Sequence, residues 1–270
     1  MAPLRIALYQ GPGGVPGNTG ESLASLDSAA RRAADAGARA LLTSELFLTG
    51  YAVGDALPEL AEPATGPASE SVAKIAAEHG LAIGYGYPER DGDKIYNAVQ
   101  LIGPDGSRLA NYRKTHLFGE FENAWFTPGD DPVVQADLDG TRIGLLICYD
   151  VEFPENVRAH ALAGTELLLV PTALMRPYEI VTQTILPARA WENQLHIAYA
   201  NRCGPEGDFD FAGLSCLVAP DGTARARAGL AEDLIVADAD PDLLRTARAE
   251  NTYLGDRRPG LYGRLTERIR

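Results

Sequence analysis

Short, almost wholly apolar runs return along this 270-residue chain, each bounded by turn residues and parted from the next by a helical or hairpin pattern. RIALYQ (5–10), ARALLTSE (38–45), LAIGYGYP (81–88), RIGLLIC (142–148), ELLLVP (166–171), LHIAYAN (195–201) and EDLIVADAD (232–240) read as strands. Most are too apolar to alternate, as strands covered on both faces are. Between them, 21–37 places Leu23, Leu26, Ala30, Ala33 and Ala34 at helical spacing, with Ser22 as the expected cap and Gly37 as the end, and 68–80 also stops at a glycine. PENVRAHALAG (154–164) carries proline in its first turn, and 179–194 is a longer helical pattern with Pro187 inside it. PDG tripeptides predict a hairpin of 94–102 with 107–114 and a second one over 211–227. Helices alternating with strands, plus hairpins, specify an α/β protein with mixed sheets. About eleven or twelve strands exceed one ordinary sheet, so two stacked sheets are expected. With no break in composition and no linker, 1–270 reads as one domain.

Charge and cysteine usage remove several classes of function. The formal net charge is -13, so the field repels phosphate backbones and anionic headgroups, and no nucleic-acid partner is expected. Cys148, Cys203 and Cys216 form no CxxC pair and no disulfide framework, which fits a reducing compartment. The opening MAPLRIALYQ has no long apolar core of a leader, and LLLVPTALM is too short for a membrane span, so a cytoplasmic protein is expected. The four histidines show no metal-ligand spacing, and neither a metal nor another cofactor is expected.

Three reactive side chains fall at strand ends, where α/β folds gather their sites: Glu45, Lys114 and Cys148. Singly, each has a plain reading: a cysteine closing an apolar strand is usually a small core residue, and the two charges would be solvated strand ends. Together they supply what a thiol nucleophile needs. A thiol is only slightly ionised at neutral pH, so it needs a base, for which Glu45 serves, and a nearby cation, for which Lys114 serves. Lys114 would also stabilise an oxyanion on the attacked carbonyl.

The surrounding segments TSELFLTGY, NYRKTHLFGEFENAWFTPG and LLICYDVEFPENVR resemble, in that order, the three signatures of the nitrilase superfamily of carbon–nitrogen hydrolases. The likeness extends to ARAWENQLHIAYANRCG, GLSCLVAPDG and DRRPGLYGRL, nearly the whole chain. It implies a four-layer α-β-β-α sandwich of two mixed sheets, and catalytic roles for Glu45, Lys114 and Cys148. A second family glutamate, eight residues past the lysine, falls on Glu122 rather than Glu120. The backbone N–H of Tyr149 is implied as an oxyanion donor. The family implies a homodimer or higher homo-oligomer, with 154–164 and 179–194 at the interface and the tail 251–270 docked on the partner subunit through Tyr253, Leu254, Leu261, Tyr262 and Leu265.

The CYDVEFPE variant is similar to the small-amide branch, including stereoselective carboxamide amidases. The implied reaction is hydrolysis of a small carboxamide to an acid and ammonia through a cysteine thioester. An N-carbamoyl-amine amidohydrolase or an ω-amidase is the alternative, and a fold-retaining binding protein the non-enzymatic one. A nitrilase proper would carry tryptophan where Tyr149 stands. Tyr51, Trp125, Glu152 and Met175 are the candidates for the substrate pocket, Glu152 as a possible attractor of a cationic group, while Asp150 is expected to order the turn.

Overall fold

The computed structural model describes residues 2–13 and 18–267. Strand β1 (Leu4–Gln10) leads through helix α1 (Thr19–Asp35) to β2 (Ala40–Leu42), and α2 (Leu57–Leu60) and α3 (Pro67–His79) precede β3 (Ala82–Asp91), β4 (Lys94–Ile102) and β5 (Arg108–Arg113). Helix α4 (Gly119–Trp125) separates these from β6 (Val134–Leu138), β7 (Thr141–Leu145), α5 (Pro154–Leu162) and β8 (Leu167–Pro171). Then come α6 (Leu186–Asn193), β9 (His196–Ala200), β10 (Cys203–Glu206), β11 (Phe209–Ala212), β12 (Cys216–Val218), β13 (Ala224–Arg227), β14 (Asp233–Ala239) and α7 (Pro241–Glu250). No helix among the described residues is long and apolar enough to cross a membrane.

Two six-stranded sheets result, ordered β14-β1-β2-β3-β4-β5 and β13-β12-β9-β8-β7-β6, with β10 and β11 as a separate pair. In the first sheet β1, β2 and β3 run parallel and the outer strands antiparallel; in the second the parallel centre is β7, β8 and β9. In the first sheet, period-two alternation divides the strands between two cores. Ile6, Leu8, Leu42, Val99 and Leu101 face the other sheet, meeting Ile143, Leu145, Leu167 and Leu169. Their neighbours Ala7, Tyr9, Leu41, Ile83 and Ile102 pack instead under Leu26, Ala30 and Ala33 of α1 and Val72 and Ala76 of α3. Val157 and Ala161 of α5 and Leu186 and Ala190 of α6 cover the second sheet. The architecture is the four-layer α-β-β-α sandwich, and both faces of the central strands are covered, which is why those runs are apolar throughout.

Several local expectations are corrected. Asn18, not Ser22, caps α1, its side chain accepting from the Glu21 N–H at 3.0 Å. The pattern over 179–194 is not one α-helix: Val181–Ile185 is a π-turn and α6 begins only at Leu186. Pro187 has no N–H and its ring crowds the preceding turn, which widens to admit it. The stretch 211–227 is likewise not one hairpin, because β11 pairs with β10 while β12 pairs with β13 across the PDG turn. In that turn Asp221 accepts from the Thr223 N–H at 3.0 Å and Gly222 takes a φ of 76°. In the tail, Tyr253, Leu261 and Leu265 are exposed while Leu254 packs against the core; Arg268 to Arg270 lie outside the described residues.

His160 of α5 lies flat against β7, where a Cβ on Gly144 would come within 2.4 Å of its Nδ1. Its Nδ1 is 3.0 Å from Thr165 Oγ1, and burial lowers its pKa from 6.5 to about 4. The native state therefore prefers neutral imidazole, and unfolding takes up a proton between those two values. Stability is full above pH 6.5 and falls as the pH drops toward 4, by up to about 3 kcal/mol. Thermal unfolding of wild type and His160→Gln between pH 7 and pH 4 should show a steeper acid-side loss in wild type; parallel curves would refute this origin.

Candidate active site

The three reactive residues lie just past strand ends rather than on them. β2 stops at Leu42, and Glu45 sits three residues on, its N–H donating to the Thr172 carbonyl at 3.2 Å beyond the end of β8. β5 stops at Arg113, so Lys114 follows it directly, its N–H bonded to the Asn97 carbonyl at 2.8 Å. β7 stops at Leu145, and Cys148 opens a 3-10 turn, Cys148–Glu152. Its φ of 46° is left-handed, a strained value for cysteine that aims the side chain off the strand axis.

Lys114 ties the parts together. Its buried ammonium donates to Glu45 Oε1 at 2.6 Å and to Glu122 Oε1 at 2.7 Å. Glu45 Oε1 also accepts from Asn97 Nδ2 at 2.6 Å, whereas its Oε2, also buried, has no hydrogen-bond partner among the described residues. Glu122 accepts from the Tyr51 hydroxyl at 2.8 Å and, on its other oxygen, from the Phe118 N–H at 2.9 Å. Glu120, two positions earlier, is turned by about 200° on the helix and is exposed.

The charges set one another's protonation. Burial works against the Lys114 ammonium, but Glu45 and Glu122 outweigh it and hold the pKa well above the ordinary lysine value. Burial raises Glu122, with Lys114 opposing. Burial and then the Glu45 charge push the Cys148 thiol well above its usual value, against the pull of Lys114. The resting thiol keeps its proton, beside a carboxylate able to take it when a carbonyl arrives.

Cys148, Tyr149, Glu122, Tyr51, Glu152 and Met175 line one cavity of about 250 Å3. Trp125 is not among its walls; it packs at the end of α4 on the apolar cluster around Leu46, Phe126 and Phe211, so its assignment to the pocket is corrected. Phe118, Ala173, Leu174 and Tyr178, to which the sequence reading gave no role, complete the lining. The other thiols lie apart, in β12 for Cys216, which burial pushes up to about 11, and in β10 for Cys203.

Two further side chains fix the site: Asp150, expected to order its turn, and Arg202, which the sequence reading passed over. Asp150 is fully buried, and its carboxylate accepts from Tyr112 Oη at 2.9 Å, Thr115 Oγ1 at 3.0 Å, the His116 N–H at 2.9 Å and the Ile147 N–H at 3.2 Å. That stitches the Cys148 turn to the segment after Lys114, an ordering role wider than the turn itself. Arg202, also buried, donates to Glu206 and to the carbonyls of Glu45 at 3.1 Å and Leu46 at 3.3 Å. The available signal was polarity out of place: Asn97 interrupts an apolar strand, and Arg202 follows one.

A thiol and a carboxylate on one cavity wall, with a buried ammonium bonded to that carboxylate, are the equipment of acyl transfer, and the comparisons with known proteins agree. The family model for carbon–nitrogen hydrolases matches residues 5–249. The chain belongs to that family. Among its relatives are a Pseudomonas protegens hydrolase named for the pqqF 5' region, 50% identical over 98% of this chain and 93% of that protein, and an (R)-stereoselective amidase of Pseudomonas sp., 39% identical over 84% of this chain and 82% of that one. An amidase from Nesterenkonia sp. superposes with a TM-score of 0.87 at 38% identity, covering 96% of this chain and 95% of the other. Forms of that amidase carry acrylamide, or the acetamide moiety of fluoroacetamide, added covalently at the active-site cysteine. This carbon–nitrogen hydrolase is thus an amidase of the nitrilase superfamily, acting on bonds other than peptide bonds through a thiol.

Two outcomes follow from the geometry. In Glu45→Gln, removal of the charge that helps hold the Cys148 proton should move the pH midpoint of iodoacetamide alkylation downward; an unchanged or higher midpoint would break the coupling. Gly86 of β3 lies under the Glu45 loop, where a Cβ would come within 2.5 Å of the Leu46 nitrogen and 2.6 Å of the Ser44 carbonyl oxygen. Gly86→Ala should displace Glu45 and lower kcat by about 10²-fold, read by steady-state kinetics beside a circular dichroism spectrum that shows the fold intact.

Proposed function

We propose that the protein hydrolyses a small primary carboxamide to a carboxylic acid and ammonia, with Cys148 as nucleophile. The observation that carries this reading is the thiol at a cavity wall beside the Glu45–Lys114–Glu122 array. The free Glu45 Oε2 takes the Sγ proton as the thiolate attacks the carbonyl carbon. Lys114 Nζ and the Tyr149 N–H, one of the first amides of its turn and so without a carbonyl partner inside it, receive the oxyanion. The carbon–nitrogen bond breaks as Glu45 returns the proton to nitrogen, leaving a thioester. Glu45 then takes a proton from water, the hydroxide attacks, the carbon–sulfur bond breaks and the proton goes back to sulfur. Glu122, fixed by Tyr51 and the Phe118 N–H, positions Lys114.

The reading takes 1–270 as one hydrolase domain working in a reducing compartment, where its free cysteines persist. It also takes the tail 251–270 as docking on a second copy. Exposed Leu162 on α5, Ile180 and Trp191 at and near α6, and Leu261 and Leu265 in the tail are apolar groups that such contact would cover.

Cys148→Ala should abolish ammonia release from aliphatic carboxamides while the unfolding midpoint stays near that of wild type, and rapid quenching of the wild type should trap an acyl group on Cys148 by mass spectrometry. An acyl group on another residue, or an active Cys148→Ala enzyme, would overturn the mechanism. Carbon dioxide released with the ammonia would instead mark an N-carbamoyl substrate.

A further inference from the structure

Glu152 stands out among the cavity walls. It closes the 3-10 turn that Cys148 opens, and at a rise of roughly 2 Å per residue its backbone lies about 8 Å from that of the nucleophile. Its carboxylate is half-buried, yet has no hydrogen-bond or ion-pair partner among the described residues. The nearby guanidinium of Arg189 is engaged elsewhere, by the carbonyls of Val151 at 3.3 Å and Glu152 at 2.8 Å and by the Glu192 carboxylate at 2.9 Å. Besides Tyr51, which is held by Glu122, three rings of the cavity wall pack on one another: Phe118 stands edge-on to Tyr149 at 5.2 Å between centroids and to Tyr178 at 6.1 Å. No lysine or arginine is among the cavity walls.

An unpartnered carboxylate beside aromatic faces is the chemistry that receives a protonated amine, by charge pairing and by cation–π attraction. The same cavity repels a second carboxylate, because Glu122 and Glu152 both stand on its walls, and the single Lys114 ammonium behind Glu122 is already shared with Glu45. Building on the amidase reading above, we propose that Glu152 and the rings of Phe118, Tyr149 and Tyr178 form a subsite for a cationic group on the acyl chain. The preferred substrates are amides whose acyl chain ends in a protonated amine several bonds from the carbonyl. Amides of dicarboxylic acids, the substrates an ω-amidase takes, are the disfavoured class.

The test uses the full chain and three matched series at pH 7.5: ω-amino carboxamides with two to five methylene groups, n-alkyl carboxamides of equal length, and ω-carboxy carboxamides. In wild type the best ω-amino amide should exceed its alkyl counterpart in kcat/KM by about tenfold or more, and the carboxylate series should fall below both. Glu152→Gln should bring the amino-to-alkyl ratio close to one, and Glu152→Arg should favour the carboxylate series. In wild type alone, n-butylammonium should protect Cys148 from iodoacetamide better than n-butanol does, a reading independent of how the variants fold. Hydrolysis of alkyl amides with no gain from the amine, or a ratio unchanged in Glu152→Gln, would overturn the subsite and leave the amidase reading standing. Failure to hydrolyse any of the three series would overturn both.

Discussion

The buried ammonium of Lys114 between two buried carboxylates is the interaction around which the rest of the site is arranged. Taking these charges out of water costs several kcal/mol each, and mutual attraction repays it only when the geometry is close and the remaining polar atoms are satisfied. Here the Lys114 contacts are 2.6 and 2.7 Å, and Asn97, Tyr51 and the Phe118 N–H saturate most of what is left. Of the oxygens of the two carboxylates, one stays unsatisfied among the described residues, Glu45 Oε2. In a stability sense it is a defect; in the proposed mechanism it is the atom that takes the thiol proton.

Such an array tolerates little movement, and the structure fixes its backbone from several sides. Asp150 ties the Cys148 turn to the Lys114 segment through four donors from residues 112 to 147. Arg202 holds the Glu45 and Leu46 carbonyls while its partner Glu206 accepts from the Ala52 N–H at 2.8 Å. Both Cys148 and Leu46 take left-handed backbone, with φ of 46° and 48°, a strain that these surrounding bonds over-determine. The central strands supply rigid ends for three loops from different parts of the chain, and the loops carry the chemistry.

Much of this was legible in the sequence, and the failures have physical causes. The central strands and α3 were read nearly to their ends, because burial on both faces forces unbroken apolar runs and left-handed Gly80 stops the helix. Strand ends near the site were drawn too long: β2 stops before the buried polar residues Thr43, Ser44 and Glu45, and past β7 the apolar run goes on through Leu146, Ile147 and Cys148, which are buried in the core beyond the paired strand. Trp125 looked like a pocket residue by type, but its place at the end of α4 turns it into an apolar cluster. Asn97 and Arg202 were passed over, since their partners lie 52 and about 157 residues away and no local pattern reports such a contact.

The sequence by itself determined the layers and pointed to the candidate reacting groups. Period-two and period-3.6 apolar spacing dictate which faces are buried, and Glu45, Lys114, Glu122 and Cys148 stand in motifs specific enough to name the family. Only the tertiary structure decided how those groups act on one another. The distances within the array, the free oxygen on Glu45 and the unpartnered Glu152 carboxylate at the cavity wall all arise from loops brought together by the stacking of two sheets. Interactions between charges depend on separation and burial in space, and neither is written in the order of residues along a chain.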